Sequence, residues 1–198
     1  MKKIIKIFRE ANERFGLRIL SINDIVKFSK LTLTPAIINV YINRALKNEA
    51  GQIQRIATGF YALKYVSWTW RDLLDKLSGE SYLSGLYVLS AAGLYLGQPV
   101  IEGVTSSINK NKNIMTAKGK LTLYRDFNFS VDGVDLDTRI ACTEKAIADY
   151  IRIRQNAGES FDRMFNKGLW NFALLKKINI KKALRYSADP DIVRCLKV

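Results

Sequence analysis

Amide and cationic side chains recur at helical spacing between residues 35 and 47. Asn39 and Asn43 carry amides one turn apart, and Arg44 and Lys47 carry positive charges on the following turn. Amides can donate to and accept from the edges of bases, while guanidinium and ammonium groups neutralise phosphates. These residue types in this order indicate non-covalent recognition of nucleic acid.

The candidate contact residues continue from this helix into a hairpin. Thr34 is predicted to cap the helix, and Pro35 occupies its first position, where a missing N–H costs nothing. The outward face of the helix carries short side chains near its start and polar and basic side chains after them. Arg55 and Lys64 add cations on the hairpin. An ordinary solvated helix face is the alternative, which the basic hairpin disfavours. The predicted DNA-contact residues are Thr34, Ala36, Asn39, Val40, Asn43, Arg44, Lys47, Arg55, Thr58 and Lys64.

Three helices and this hairpin must position the contact residues. Ser21 is predicted to cap the second helix, with Asp24 at the acid position of a capping box. Alternation about Thr58-Gly59 predicts a strand, a tight turn and a strand, with Ile53, Arg55 and Ala57 on one side. The predicted elements are helices over Lys3–Phe15, Ser21–Phe28 and Pro35–Asn48, the last ended by Gly51, and a hairpin over Ile53–Leu63.

Catalytic residue patterns are scarce. The 198 residues include no histidine, which excludes Ser-His-Asp and Cys-His nucleophilic sites and histidine-ligated zinc. Glu144, Lys145 and Asp149 form one compact charged cluster on a predicted helix. We interpret Glu144 as an acid at the positive end of that helix and the others as structural, because adjacent side chains do not face each other. We therefore expect no enzyme activity and no cofactor.

The net charge of +14 favours a polyanionic partner. Residues 1–64 hold 12 Lys and Arg against 4 Asp and Glu, a net charge of +8, and the remaining residues hold 20 against 14. Cys142 and Cys195 form no C-x-x-C pair and are predicted to be free thiols in a reducing cytosol. The basic N-terminus lacks the apolar core of a signal peptide, so we expect a cytoplasmic protein.

The predicted fold class is α+β: a winged helix-turn-helix domain over residues 1–65, followed by a mixed α+β domain over residues 66–198. Residues 81–101 are uncharged, but glycines and Pro99 interrupt them, so we interpret them as a buried helix, a turn and a strand rather than a membrane span. The elements predicted for the second domain are a linking helix over Val66–Leu77, a helix over Tyr82–Leu96, strands over Val100–Ser106 and Lys120–Phe129, a polar loop over Asn109–Asn113, a hairpin turn at Asp132-Gly133 with a short strand after it, a helix over Glu144–Arg154 capped by Thr143, and two helices in Leu169–Val198, one of them over Asn179–Tyr186.

Three blocks of the sequence resemble the AbiE-type antitoxins, the regulators of type IV toxin–antitoxin operons. The first block departs from the family pattern, because Arg44-Ala45-Leu46 has one residue between the arginine and the leucine. The resemblance does not cover the chain after Gly158. The similar blocks are Asn43–Leu46 with Ile53–Tyr61, Tyr82–Leu94, and Ile140–Asp149.

This resemblance implies a winged helix-turn-helix repressor that binds inverted repeats in its own promoter, as a monomer or homodimer on DNA. It also implies a C-terminal domain that neutralises a nucleotidyltransferase-type toxin without a stable complex. Two other functions stay open from the residues alone. One is a protein-interaction module whose basic surface binds an acidic partner, and the other is an RNA-binding protein.

Overall fold

The computed structural model describes residues 2–30, 32–47, 52–77, 80–107 and 110–197. It confirms the predicted mixed α+β class. The helices are α1 (Lys2–Phe15), α2 (Ile22–Phe28), α3 (Pro35–Lys47), α4 (Trp70–Leu77), α5 (Leu86–Ala91), α6 (Thr143–Asn156), α7 (Phe161–Met164), α8 (Phe172–Leu175), α9 (Ile180–Tyr186) and α10 (Pro190–Lys197). The strands are β1 (Leu20–Ser21), β2 (Ile53–Ala57), β3 (Phe60–Leu63), β4 (Ser81–Ser84), β5 (Ile101–Thr105), β6 (Lys112–Thr116), β7 (Gly119–Arg125), β8 (Val134–Asp135) and β9 (Ile140–Ala141).

The chain divides into two compact units. The first unit comprises Met1–Leu77 with Ile114–Gly119, and the second comprises Ser78–Asn113 with Lys120–Val198. In the first unit, β3 pairs antiparallel with both β1 and β2. Helices α1, α2 and α3 and these strands enclose one apolar core. The most deeply buried members of that core include Ile4, Phe8, Ala11, Leu20, Ile25, Ile38, Ile42 and Ile53.

Local sequence signals start the helices of the first unit. Ser21 caps α2 through a complete capping box, because its hydroxyl accepts from the Asp24 N–H and the Asp24 carboxylate accepts from the Ser21 N–H. The Thr34 hydroxyl accepts from the Ile37 N–H at 3.4 Å, at the start of α3. Both predicted caps are therefore confirmed. The predicted end of α3 at Asn48 and Gly51 lies outside the described residues.

A segment remote in sequence completes the first unit. Thr116 of β6 pairs antiparallel with Ala57 of β2, and the Ala117 N–H donates to the Ile56 carbonyl at 2.8 Å. The Lys118 ammonium donates to the Trp68 carbonyl at 2.9 Å and lies 4.0 Å from the centre of the Trp68 indole. β2 is thus paired on both of its edges, which the hairpin pattern alone does not predict.

The second unit is built on strands in the order β7-β5-β4-β9-β8. β5 runs parallel to β7 and antiparallel to β4, while β9 runs parallel to β4 and antiparallel to β8. Helix α6 is buried along most of its length and packs against α5, α9 and α10. The core around α6 includes Tyr82, Leu89, Ile147, Ile151, Trp170, Leu175 and Ile192.

The predicted helix over Tyr82–Leu96 is wrong at both ends, because the helix observed there, α5, spans only Leu86–Ala91. Residues 81–84 form β4, because they pair with β5 in a register that sets Tyr82 opposite Val104. Gly85 then turns the chain at a φ of +56°, a conformation that side chains disfavour, and α5 begins after it. A nonlocal partner strand therefore overrides the local helical pattern.

Several other predicted bounds need correction. The linking helix begins at Trp70, not Val66, because Thr69 caps it through Asp72. Cys142, not Thr143, is the N-cap of α6. The polar loop predicted up to Asn113 is wrong from Lys112 onward, where β6 begins; Asn109 lies outside the described residues.

Three further patterns differ from the prediction. The alternation predicted for β2 breaks at Ile56, because the register shifts between Arg55 and Ala57 and leaves Ile56 buried. A turn closes with the Val134 N–H donating to Val131, but β8 then pairs with β9 instead of forming a hairpin with β7. The C-terminal residues expected to hold two helices hold α8, α9 and α10.

Two findings concern the cysteines and the helix lengths of the described chain. Cys142 and Cys195 are both free, and Cys195 is buried in the second unit. No helix in these ranges is both long enough and apolar enough to cross a membrane.

Candidate nucleic-acid interface

All ten predicted contact residues lie in the first unit, and all ten are exposed. Seven of them belong to α3 or to its cap, and the other three belong to β2, to the turn after it, and to the residue after β3. Helix α3 packs on β2 through its inner face. The structure thus leaves the whole predicted surface accessible to solvent.

Helix α3 has two distinct faces. Ile38, Ile42 and Ala45 are buried in the core of the first unit. Because successive residues rotate by about 100° on a helix of 3.6 residues per turn, Lys47, Val40 and Ala36 project most directly away from that core. Asn43 and Arg44 flank them on opposite sides, and Asn39 lies nearer the edge of the exposed face.

Ile37 belongs to this exposed face although the sequence prediction omitted it. It is exposed, like Val40, which lies three positions later on the same face. The helical wheel alone could have identified Ile37, because the buried stripe at Ile38 and Ile42 leaves position 37 outward. Thr34 has a second role as the cap, since its hydroxyl already accepts from the Ile37 N–H.

The β2–β3 hairpin presents the remaining contact residues. Arg55 pairs with Tyr61 across the hairpin, and its guanidinium lies 5.9 Å from the centre of the Tyr61 ring. Gly59 lies beside Thr58 in the turn and adopts a φ of +82°, a backbone conformation that favours glycine. The Lys64 N–H donates to the Gln52 carbonyl at 2.8 Å, which fixes the backbone at the open end.

The cations on this surface are available for an external anion. Across the described ranges, no carboxylate lies within ion-pair distance of Arg44, Lys47, Arg55 or Lys64. Elsewhere in the first unit carboxylates pair with other cations, as Asp24 does with Lys76 and Glu10 with Arg14. Among the described residues, these four exposed cations are therefore not neutralised by an ion pair.

Asp24 connects α2, the helix before α3, to α4. The Lys76 ammonium donates to the Asp24 carboxylate at 2.9 Å, and the hydroxyl of Ser21 donates to the same oxygen. Burial opposes the charged form, but the hydrogen bonds from Ser21 and Lys76 outweigh it, so the pKa of Asp24 is lowered. The ionised carboxylate thus holds α2 in place.

The charged residues of α6, the alternative site considered for catalysis, make separate structural contacts. The Lys182 ammonium donates to the Glu144 carboxylate at 2.9 Å, whereas Lys145 pairs with Asp149. Asp149 also accepts from the hydroxyls of Ser84 and Tyr82, at 2.7 and 3.1 Å. Burial and the neighbouring Asp149 carboxylate raise the pKa of Tyr82, so its phenol keeps its proton and donates.

No protein-family model matches the chain, and no curated protein matches it either. In three dimensions it is similar to the crystal structure of the RV2827C protein from Mycobacterium tuberculosis, with a TM-score of 0.55 at 12% sequence identity. The similarity covers 97% of this chain and 75% of that protein. At so low an identity, this likeness concerns the fold alone.

Proposed function

We propose that the first unit is a winged helix-turn-helix that binds double-stranded DNA, with α3 in the major groove and the β2–β3 hairpin as the wing. The observation that carries this proposal is the exposed face of α3, which combines amides and cations and is free of acidic residues. The order α1-β1-α2-α3-β2-β3 also suits such a module, because α2 and α3 are consecutive and a hairpin follows. Arg55 and Lys64, which pair with no carboxylate in the part of the chain that the structure describes, support a phosphate contact by the wing.

We further propose that the protein is a cytoplasmic transcriptional repressor, the antitoxin of a type IV toxin–antitoxin operon that regulates its own promoter. This part rests on the resemblance of three sequence blocks to AbiE-type antitoxins. On an inverted repeat, the protein would bind as a monomer at each half-site or as a homodimer. The second unit would then neutralise a nucleotidyltransferase-type toxin and would itself catalyse no reaction.

Duplex binding by the full-length chain tests the first proposal. The probe is a duplex of about 30 base pairs, roughly three helical turns, taken from directly upstream of the gene. Single-stranded DNA and an RNA hairpin of the same sequence serve as competitors. We expect preference for the duplex and a log–log salt slope that steepens by about 0.9 for each phosphate contacted.

Two results would contradict the proposal in different ways. Preference for RNA or for single strands would favour an RNA-binding protein. Absence of duplex binding at low salt, together with capture of an acidic protein, would favour the interaction module. The full-length chain is required because residues 114–119 belong to the first unit, so a fragment ending at Lys64 would lack a strand that pairs with β2.

Co-expression tests the antitoxin role. The gene adjacent to this one, which the proposal predicts to encode a nucleotidyltransferase-type toxin, is expressed with the wild-type chain or with a variant in which Arg44 and Lys47 are both changed to alanine. If the second unit neutralises the toxin, both versions should restore growth, while only the wild type should repress the promoter. Failure of both versions to restore growth would contradict the antitoxin role and leave DNA binding standing.

A further inference from the structure

The exposed face of α3 carries apolar side chains over its first half. Ile37 is 42% exposed and Val40 is 48% exposed, whereas Ile38 and Ile42, the other β-branched residues of this helix, are buried. They lie at positions i and i+3 and therefore form one continuous patch. Neither side chain can donate or accept a hydrogen bond, so the patch cannot hydrogen-bond to a polar base edge.

Polar residues surround this patch in a specific arrangement. Asn39 and Asn43 border it on one side, while Arg44 and Lys47 follow it on the last turn of the helix. Exposed apolar surface of this kind is disfavoured in water and favours contact with a ligand. The absence of any acidic residue in α3 makes an anionic ligand the electrostatically complementary one.

The position of the patch on the helix further limits which part of a ligand it can contact. In a helix-turn-helix complex the N-terminal residues of the recognition helix contact base edges. Ile37 and Val40 occupy that half of α3, whereas Arg44 and Lys47 occupy its last turn. In the major groove the apolar feature of a base edge is the C5-methyl group of thymine, which aliphatic side chains contact.

We propose that Ile37 and Val40 recognise thymine methyl groups in the major groove, so that the preferred operator carries thymines at the centre of each half-site. This inference rests on the proposed DNA binding and specifies what α3 reads. Each methyl group buried against an aliphatic side chain removes apolar surface from water. Loss of one such contact should weaken binding about fourfold.

The test replaces thymine by deoxyuridine, which removes the methyl group and keeps the base pairing. A duplex selected by the full-length wild type from a randomised library is synthesised with thymine or with deoxyuridine at each position in turn. We expect about fourfold weaker binding at one or two positions. Val40→Ala or Ile37→Ala should weaken binding to the thymine duplex similarly and should abolish the difference between the two bases at one position each.

Val131→Ala is the matched control, because Val131 is also an exposed valine, at 40%, but lies in the second unit. This variant should keep the wild-type preference for thymine. Tight duplex binding with no thymine preference at any position would overturn this inference and leave the proposed function intact. Absence of binding to every duplex at low salt would overturn both.

Contact of the patch with a protein would give a different experimental result. If the patch joins two copies of the chain, sedimentation should show a wild-type dimer that Val40→Ala converts to a monomer, with thymine preference absent in both. That result would overturn the inference. A sedimentation profile unchanged by Val40→Ala, with the thymine preference lost at one position in that variant, would support it.

Discussion

Lys145 and Asp149 form a buried ion pair one turn apart on α6, with Nζ 3.7 Å from Oδ1 and side chains that are 2% and 0% exposed. The pair is asymmetric. Apart from this contact, Lys145 lies over the rings of Tyr82 and Tyr186, at 5.0 and 5.4 Å. The other groups that donate to Asp149 are the hydroxyls of Ser84 and Tyr82 and the guanidinium of Arg152.

This asymmetry predicts unequal costs for removing either partner. Asp149→Ala removes the carboxylate that pairs with a buried ammonium ion and leaves that ion over the rings of Tyr82 and Tyr186, so it should destabilise the fold by about 3–5 kcal/mol. Lys145→Met should cost less, because Arg152 still neutralises Asp149. Urea unfolding measures both free energies, with Lys182→Met as the control; its partly exposed pair with Glu144 should contribute less than about 1 kcal/mol. Equal costs for Asp149→Ala and Lys145→Met would argue against this account.

Gly85 should tolerate a methyl group poorly. Its φ is +56°, and a Cβ atom there would lie 2.6 Å from Oε2 of Glu102. That oxygen accepts from the Leu86 N–H at 2.8 Å, and the other carboxylate oxygen accepts from Arg154 at 2.5 Å, so Glu102 is not free to move. We expect Gly85→Ala to destabilise by roughly 3 kcal/mol, from backbone strain plus a displaced buried carboxylate.

Gly158→Ala provides a reference for the cost of a positive φ without a steric contact. Gly158 also has a positive φ, of +78°, but no atom lies within 4 Å of its added Cβ. Its substitution should cost only about 1–2 kcal/mol. Thermal or urea unfolding of both variants gives the difference, and a Gly85→Ala cost no greater than that of Gly158→Ala would show that Glu102 yields easily.

The lowered pKa of Asp24 predicts that part of the free energy of unfolding depends on pH. Because the carboxyl ionises more readily when folded, its stabilisation is fully present above the unfolded pKa of about 3.9 and is lost as pH falls through the lower folded value. The difference in unfolding free energy between wild type and Asp24→Asn should therefore be constant above about pH 5 and shrink below about pH 4. Urea titrations across this range measure it.

The control for Asp24 is Asp162→Asn, which removes an exposed carboxylate paired with Arg194. Exposed pairs of this kind contribute little, so this variant should stay close to wild type throughout the pH range. A wild-type advantage over Asp24→Asn that grew on acidification would reverse the sign and contradict the assignment of the Ser21 and Lys76 hydrogen bonds as its cause.

The proposed DNA surface predicts two kinds of binding defect. Lys47→Ala and Arg55→Ala should each weaken all duplexes and reduce the salt slope by about one unit, if each contacts one phosphate. Asn43→Ala should relax sequence preference by roughly 1–3 kcal/mol at one base pair. Fluorescence anisotropy over a salt series measures both, with Lys177→Ala, an exposed lysine of the second unit, as the control. A salt slope that neither Lys47→Ala nor Arg55→Ala changes would show that these two residues do not belong to the interface.

Local signals in the sequence predicted the N-terminal elements well. Ser21 with Asp24, and Thr34 with Pro35, mark helix starts because capping bonds join residues only three or four positions apart. Gly59 marks the hairpin turn for the same reason, since a turn depends on the φ of its own residues. The exposed face of α3 also followed from periodicity, except that Ile37 was missed.

Only the tertiary structure decided the rest. The residues of β4 carry a helix-compatible pattern and became a strand because β5 and β9 pair with them, and β6 became a partner of β2 across more than 50 residues of sequence. The partners of Asp149 likewise come from strand residues 65 and 67 positions away. Caps, turns and amphipathic faces depend on neighbours along the chain, so the sequence by itself determined them. Strand pairing and buried ion partners depend on which distant segments share a core, and no local pattern encodes that choice.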